Sequence, residues 1–569
     1  MTFFSIRFCR ISSWILLIVG VVLFVFNVYS MTRPSYLFTH GILTTYMGTA
    51  TEQKPVSLPF SDPFPSGLYK YTLRMDLSRM ISLPTRLHII PDDCATVVVV
   101  NGVDVPLTSI PPADLCDYRN GFVIDLGAWL HSGDNTLLID FQNTGGPASI
   151  NVRYEPPLWQ ALTFAISILL ILEGLLSAKT PYGLASIWRV LPPWLLPCMV
   201  STLLVYAGVV AGVTFLRHGT CTGYEFDYHG EWYANWDGQW YKYILMKKGY
   251  DEAGLNNSPI VFFPLYPLLG AVVYSITGFT QEFSLLIVTL VSLALFARQW
   301  RIYGQIRLDS VDLADNALLF VLFCPASYFL RMTYTESLYL FLLTVLLYGF
   351  VKRWPLYWLI AIAGLITATR SQGIAAAFAV GVHVWRRDAG MPCLHRVFRM
   401  IMYTGLSAWG LIFFMCYQWA FHGSPFLFLD RQKAWGSFGW GEGRIEDLLV
   451  FRPLWEFFTS GGWRNPGFYP RLLLDEGEWL SAVVLLILGI YKRWLIAEEI
   501  VVATLTLGIA YITERWMSSV GRYSILALPC FLVLARALKQ PRTVMLVIAV
   551  LSALMFLNAG MFAMWYCVY

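Results

Sequence analysis

The sequence predicts a polytopic α-helical membrane protein with an external β-sandwich near its N-terminus. Three observations point there. Of 569 residues, 57% are hydrophobic and only 13% are charged, against roughly 25% charged in an average soluble domain. Apolar runs recur from position 158 to the end, with basic residues clustered at alternate ends. The stretch 31–157 carries instead short β-branched runs separated by turn residues. Nucleic-acid binding is not indicated, because the net charge is only +4 and the basic residues are scattered beside apolar runs rather than gathered on one face.

Taking the elements in order, Arg7 and Arg10 precede an apolar run at 14–29 that lacks a small-residue cleavage site. This predicts an uncleaved membrane anchor over residues 1–30 with its basic end in the cytoplasm. Residues 31–157 are then external. The runs ATVVVVNGVDVPL and NTLLIDFQNTGG are broken by Asn-Gly and Gly-Gly, the local signature of a β-sandwich. Their arrangement resembles galactose-binding-like jelly-roll domains, which implies the fold and leaves open whether the domain binds sugar or positions an acceptor. Of ten cysteines, Cys94, Cys116 and Cys221 fall in external segments, and Cys94 and Cys116 are candidates for a disulfide in an oxidising compartment. No cysteine spacing resembles a zinc site.

Residues 158–569 form the membrane core. Spans are expected near 158–177, 194–216, 282–298, 312–330, 337–351, 356–369, 372–386, 399–421, 478–491, 495–513, 520–537 and 543–565. With the anchor and a partial or re-entrant helix at 260–277, the total is about 12–14. Lys179, Arg189, Lys352, Arg353, Arg386, Arg399, Lys492, Arg493, Arg536 and Arg542 then share the cytoplasmic side. The loops 217–259 and 422–477 lie outside. No internal repeat is visible.

The external side collects chemistry. Residues 225–270 hold Glu225, Asp227, His229, Glu231, Asp237, Asp251 and Glu252 ahead of an apolar helix. Other external span ends carry Glu336, Arg370, Lys433 and Arg522. Ionisable groups at such places are costly unless they pair, snorkel or bind something. A carboxylate flanked by cations suits a reaction in which a hydroxyl is deprotonated while a phosphate leaves. Plainer readings stay open beside this one: Arg370 and Arg522 as residues snorkelling to headgroups, Glu336 as the partner of Arg331 or another cation, Lys433 as a solvated lysine. Trp236, Trp240 and Tyr241 flank Asp237 and suit either stacking on sugar rings or an interfacial aromatic belt. His229, with no partners at ligand spacing, reads as a hydrogen-bonding group.

NWDGQWY, KKGY, FFPLYPLL, PASYFLRMTYTESLYLF, TRSQG, GSPFLFLDRQKAW and MSSVGRYSILALP follow one another between about 220 and 535. This ordered set resembles the PIG-V-type mannosyltransferases, membrane enzymes of the GT-C class whose eukaryotic versions add the second mannose of the GPI anchor. The chain is similar to bacterial members, with an added anchor and β-domain, and it has TRSQG where the family more typically has an ARSNG-like sequence. The resemblance implies transfer of a sugar, mannose in the family, from a polyprenyl-phosphate donor to a glycan or glycolipid acceptor with inversion. Asp237 matches the aspartate of the first large external loop and is implied as general base. Arg370, Arg522 and Lys433 are the candidates for the donor phosphate, and Trp236, Trp240, Tyr241, His229, Glu336 and Gln372 for other substrate contacts. No cofactor is implied, although a divalent ion among Asp227, Asp237 and Asp251 stays open. Membrane lipids are the remaining partners. The expected location is a bacterial inner membrane with the site facing the periplasm, or the ER lumen in a eukaryote. The alternative is a lipid-linked glycan transporter or flippase with a glycan-binding external domain, which would more naturally place ionisable groups at mid-membrane and show repeats.

Overall fold

A computed structural model describes residues 40–154 apart from short stretches within them, 192–215, 232–250 apart from 248, 259–432, 469–513 and 520–564, with Leu23 alone before them. The expected anchor at 1–30, the span at 158–177, His229, the acids Glu225, Asp227, Glu231, Asp251 and Glu252, Cys221, and residues 433–468 including Lys433 lie outside the described residues. The chain divides into two compact units, residues 1–190 with 213–230 and residues 191–212 with 231–569.

The sheet residues of the first unit form two antiparallel sheets. Strands β1 (His40–Met47), β2 (Ala50–Ser57), β4 (Tyr69–Ser78), β6 (Cys94–Val100), β7 (Val103–Asp104) and β9 (Asp134–Asn143) make a six-stranded sheet in the order β2-β1-β4-β9-β6-β7. The second sheet has the order β3-β10-β5-β8, from β3 (Phe60–Asp62), β10 (Ala148–Tyr154), β5 (Arg86–Pro91) and β8 (Phe122–Asp125). Period-two alternation decides which residues face inward. On β4, Tyr71, Leu73, Met75 and Leu77 are buried while Lys70, Arg74 and Asp76 are exposed. The inward residues meet Leu87, Ile89, Phe122, Ile124, Ile150 and Val152 of the other sheet in one core. Tyr71 and Phe141 are register partners and stack at 5.1 Å. Asn101 and Gly102, at φ 52° and 79°, make the two-residue hairpin turn between β6 and β7. Cys94 and Cys116 are joined by a disulfide.

The second unit is helical. Among the described residues, three helices are long and apolar enough to cross a membrane, in Leu195–Gly212, Gln281–Leu308 and Pro541–Ala563. The number rises to five if two bent pairs each count as one span: Val311–Phe323 with Pro325–Arg331, bent by 80°, and Cys393–Ser407 with Trp409–His422, bent by 59°. Two of the expected runs are interrupted for local reasons. The run at 312–330 breaks at Cys324, where Pro325 opens a 3-10 segment. The run at 520–537 splits into Val520–Ser524 and Pro529–Ala537. Residues 260–277, expected as a partial or re-entrant helix, give the 13-residue helix Leu265–Thr277, shorter than the roughly 20 residues of an upright span.

Helices Glu336–Val351, Leu356–Thr367 and Ile374–Arg387 succeed one another through short turns. Glu336 and Arg370 therefore fall at one end of the group, and Lys352 and Arg386 at the other. Close backbone packing joins the helices Leu195–Phe215 and Pro541–Ala563. A Cβ on Gly212 would lie 2.3 Å from the Gly560 carbonyl oxygen, and one on Gly208 2.3 Å from that of Phe556, the small-residue crossing typical of helices packed in lipid.

Candidate active site

Four chain segments that are far apart in sequence bring their charged residues together. The first is NWDG. Trp232–Ala234 forms a 3-10 turn, Trp236 takes φ 59°, and Asp237 is the first residue of the helix Asp237–Lys247. A tryptophan in the left-handed region is a backbone outlier costing on the order of 1–2 kcal/mol, so the surroundings must hold it. They do so from both sides. Asn235 donates from Nδ2 to the carbonyls of Phe562 (3.3 Å) and Ala563 (3.1 Å). Tyr334 donates its hydroxyl to the Asn235 carbonyl at 3.1 Å and accepts the Asp237 N–H at 3.2 Å. Gly238 is required by close approach, since a Cβ there would sit 2.4 Å from Thr333 Oγ1.

The second segment is TYTES, which ends in Glu336 at the first position of the helix Glu336–Val351. Asp237 and Glu336 thus both stand at helix N-termini, where the backbone dipole favours negative charge. Arg370 follows the helix Leu356–Thr367 in extended backbone, and Arg522 lies in the short helix Val520–Ser524. The FFPLYP stretch is architectural: Leu265, opening its helix after Pro264, donates its N–H to the Ala368 carbonyl at 3.0 Å, tying that helix start to the turn before Arg370.

Arg522 is the centre of the arrangement. Its Nη1 donates to Asp237 Oδ2 at 2.5 Å and its Nε donates to Glu336 Oε1. The same Glu336 oxygen accepts from Arg370 Nη1 at 2.8 Å. Arg370 also donates from Nε to Gln372 Oε1 at 2.9 Å. Aromatic faces hold the guanidiniums: Tyr334 lies 4.6 Å and Phe329 5.1 Å from Arg522, and Tyr523 lies 5.1 Å from Arg370. Two carboxylates and two guanidiniums balance. They are unequally accessible: the side chain of Asp237 is 28% exposed, those of Arg370 and Arg522 are 8% and 7% exposed, and that of Glu336 is wholly buried.

Of the residues singled out in the sequence, Asp237, Glu336, Arg370, Gln372 and Arg522 come together. Glu336 pairs with Arg370 and Arg522, not with Arg331, which donates instead to Ser201, Thr202 and the Ser327 carbonyl. Trp236, Trp240 and Tyr241 are buried. Trp240 stacks on Phe262, and Tyr241 meets Phe262 and Tyr266 edge-on at 5.1 and 5.0 Å. Burial, and next the Asp237 carboxylate, push the Tyr241 phenol up, so it stays a hydroxyl beside the charges. Tyr334, Tyr523, Phe329 and Asn235 were not picked out by sequence reasoning; the adjacency of Tyr334 to TES and of Tyr523 to Arg522 was the available signal. Asp475 and Glu478 were also missed. Their carboxylate oxygens abut Gly521, within 2.3 and 2.5 Å of where a Cβ would stand.

Among the described residues no group of three His, Cys, Asp or Glu side chains is arranged to hold a metal ion. Comparison of the chain with family models, with curated proteins and with solved structures gave no match.

Proposed function

We propose that the chain is a membrane glycosyltransferase of GT-C type that moves a sugar, mannose by motif resemblance, from a polyprenyl-phosphate donor to a hydroxyl of a glycan or glycolipid on the external face. The observation that carries this reading is the partly exposed Asp237 held against Arg522, with Arg370 joined to the same group through Glu336. Membrane embedding, in about 12–14 spans on the reading of apolar runs, is supported by the three long apolar helices and by exposed apolar side chains such as Leu394, Phe413, Phe421 and Ile487.

The chemistry follows from the charges. The acceptor oxygen attacks the anomeric carbon from the face opposite the phosphate, the bond from that carbon to the phosphate oxygen breaks, and the acceptor proton passes to Asp237. The donor phosphodiester enters with one negative charge and leaves as a monoester with a second. Arg370 and Arg522 are the groups positioned to oppose that new charge, and planar guanidiniums suit phosphate oxygens. A phosphate is already a good leaving group, so one base suffices. This reading uses no metal or organic cofactor.

The test is sugar transfer by purified protein in nanodiscs, from radiolabelled polyprenyl-phosphate-mannose to a lipid and glycan extract, beside Asp237→Asn. Incorporation by the wild type alone is the expected result. No incorporation, with movement of a lipid-linked glycan across vesicles instead, overturns the transferase in favour of the transporter.

A further inference from the structure

We infer that Glu336 is the positioning residue of this site, a fixed counter-ion that keeps Arg522 and Arg370 in place while negative charge moves from Asp237 to the departing phosphate. The inference rests on the transferase reading and adds to it a residue that never touches the reacting atoms. Glu336 is fully buried, so no acceptor hydroxyl reaches it, and proton transfer falls to Asp237. Its carboxylate is used from one side only. Oε1 takes both Arg522 Nε and Arg370 Nη1, whereas the buried Oε2 has no hydrogen-bond partner among the described residues. A carboxylate that serves two guanidiniums with one oxygen fixes them relative to each other.

The balance of the proposed step shows why such a pivot is needed. Before transfer Asp237 is anionic and paired with Arg522 Nη1. When Asp237 takes the acceptor proton it becomes neutral, and the charge it carried reappears on the phosphate as the bond to the anomeric carbon breaks. Arg522 therefore exchanges one anionic partner for another during the reaction. Glu336 is the partner that does not change. Each arginine has one nitrogen, Nη2, with no hydrogen-bond partner among the described residues, while Nε and Nη1 are both engaged. Those two Nη2 groups, together with the second N–H of each Nη1, are the donors left for phosphate oxygens. The rings of Tyr334, Phe329 and Tyr523 limit the ways in which either guanidinium can swing. Losing the Glu336 charge would leave Arg522 with Asp237 as its one carboxylate partner and Arg370 with no carboxylate partner among the described residues, only Gln372 and the ring of Tyr523.

The experiment compares wild type, Glu336→Gln, Glu336→Asp and Asp237→Asn in nanodiscs. Two readouts are taken: direct binding of polyprenyl phosphate, and kcat with the KM for donor and acceptor separately. Glu336→Gln keeps the side-chain shape and removes the charge; polyprenyl phosphate binding and kcat should each fall at least tenfold, with acceptor KM within twofold of wild type. Glu336→Asp keeps the charge but withdraws it by one methylene from both guanidiniums, and it should show a measurable loss in the same two quantities, smaller than that of Glu336→Gln. A Glu336→Gln protein with wild-type phosphate binding and kcat overturns the inference. So does a loss of active sites with donor and acceptor KM unchanged, which is what a purely structural role predicts. If Glu336→Gln does not fold, wild-type phosphate binding and kcat in Glu336→Asp overturn it instead. Failure of the transferase reading looks different: the wild type itself transfers nothing, whatever happens at position 336.

Discussion

Arg522 Nη1 lies 2.5 Å from Asp237 Oδ2, so the proposed base is paired with the cation proposed to bind the leaving group. Asp237→Asn keeps the hydrogen-bonding shape of that contact and removes the charge that accepts the proton. A positioned general base contributes roughly 10²–10⁴-fold, and a loss of kcat in that range is expected with donor KM little changed. Steady-state kinetics with donor and acceptor varied in turn check it. Near-full turnover in a correctly folded Asp237→Asn would remove Asp237 from the role.

Arg370 offers the clearest separation of charge from geometry. It spends Nε on Gln372 Oε1 and Nη1 on Glu336 Oε1, two contacts in one plane that a lysine ammonium cannot reproduce. Arg370→Lys should therefore resemble Arg370→Ala more than wild type, with donor binding weakened in both. Direct binding of polyprenyl phosphate decides this. A lysine variant with wild-type affinity would mean that only a positive charge is needed at the position.

The β-domain and the charged residues beside apolar runs were readable in the sequence because both signals are local. Alternation along β4 and β9 and the Asn101-Gly102 turn need no knowledge of distant residues, and ionisable groups beside apolar runs are conspicuous by their cost. What was not readable was tertiary choice. Nothing near Glu336 says that it pairs with Arg370 and Arg522 rather than with Arg331, five residues before it, since those partners are 34 and 186 residues away. Asp237 was read within a loop because DGQWYKYILMK is too short and too polar to show a span, yet it opens a helix. The bend after Ser407 has no proline to announce it, unlike the one at Pro325. Trp240 and Tyr241 suited either ring stacking on a ligand or an interfacial aromatic belt, and in the structure both are buried against Phe262.

The disulfide Cys94–Cys116 closes a loop with a sequence separation of 22. By the loop-entropy relation such a crosslink contributes about 3 kcal/mol, mainly by restricting the unfolded chain. Replacing both cysteines by serine in the full chain should raise hydrogen exchange in β6 and β9, which carry much of the buried core, and leave exchange in the helices of the other unit unchanged. Mass spectrometry of peptides from both units measures this. Equal protection of β6 in the variant and the wild type would show that the sandwich core alone sets the stability of that region.

Gly238 tests whether the backbone at Asp237 is held in place by fit. A methyl group there would meet Thr333 Oγ1 at 2.4 Å, and Thr333 is itself fixed through its N–H and its hydroxyl to the Tyr233 carbonyl, at 2.8 and 3.2 Å. Neither side has room to retreat, because Tyr233 and Thr333 are both buried. Overpacking of this kind costs about 1–3 kcal/mol, and part of that strain falls on the left-handed Trp236 and so on the direction of Asp237. Gly238→Ala should lower both melting temperature and kcat. Adding Thr333→Ala removes the clashing oxygen together with one of its two bonds to Tyr233. The pair is therefore expected to be non-additive, with the double variant more active than Gly238→Ala alone. Additive losses would mean that the two side chains act independently and that Gly238 is needed for some reason other than the approach of Thr333.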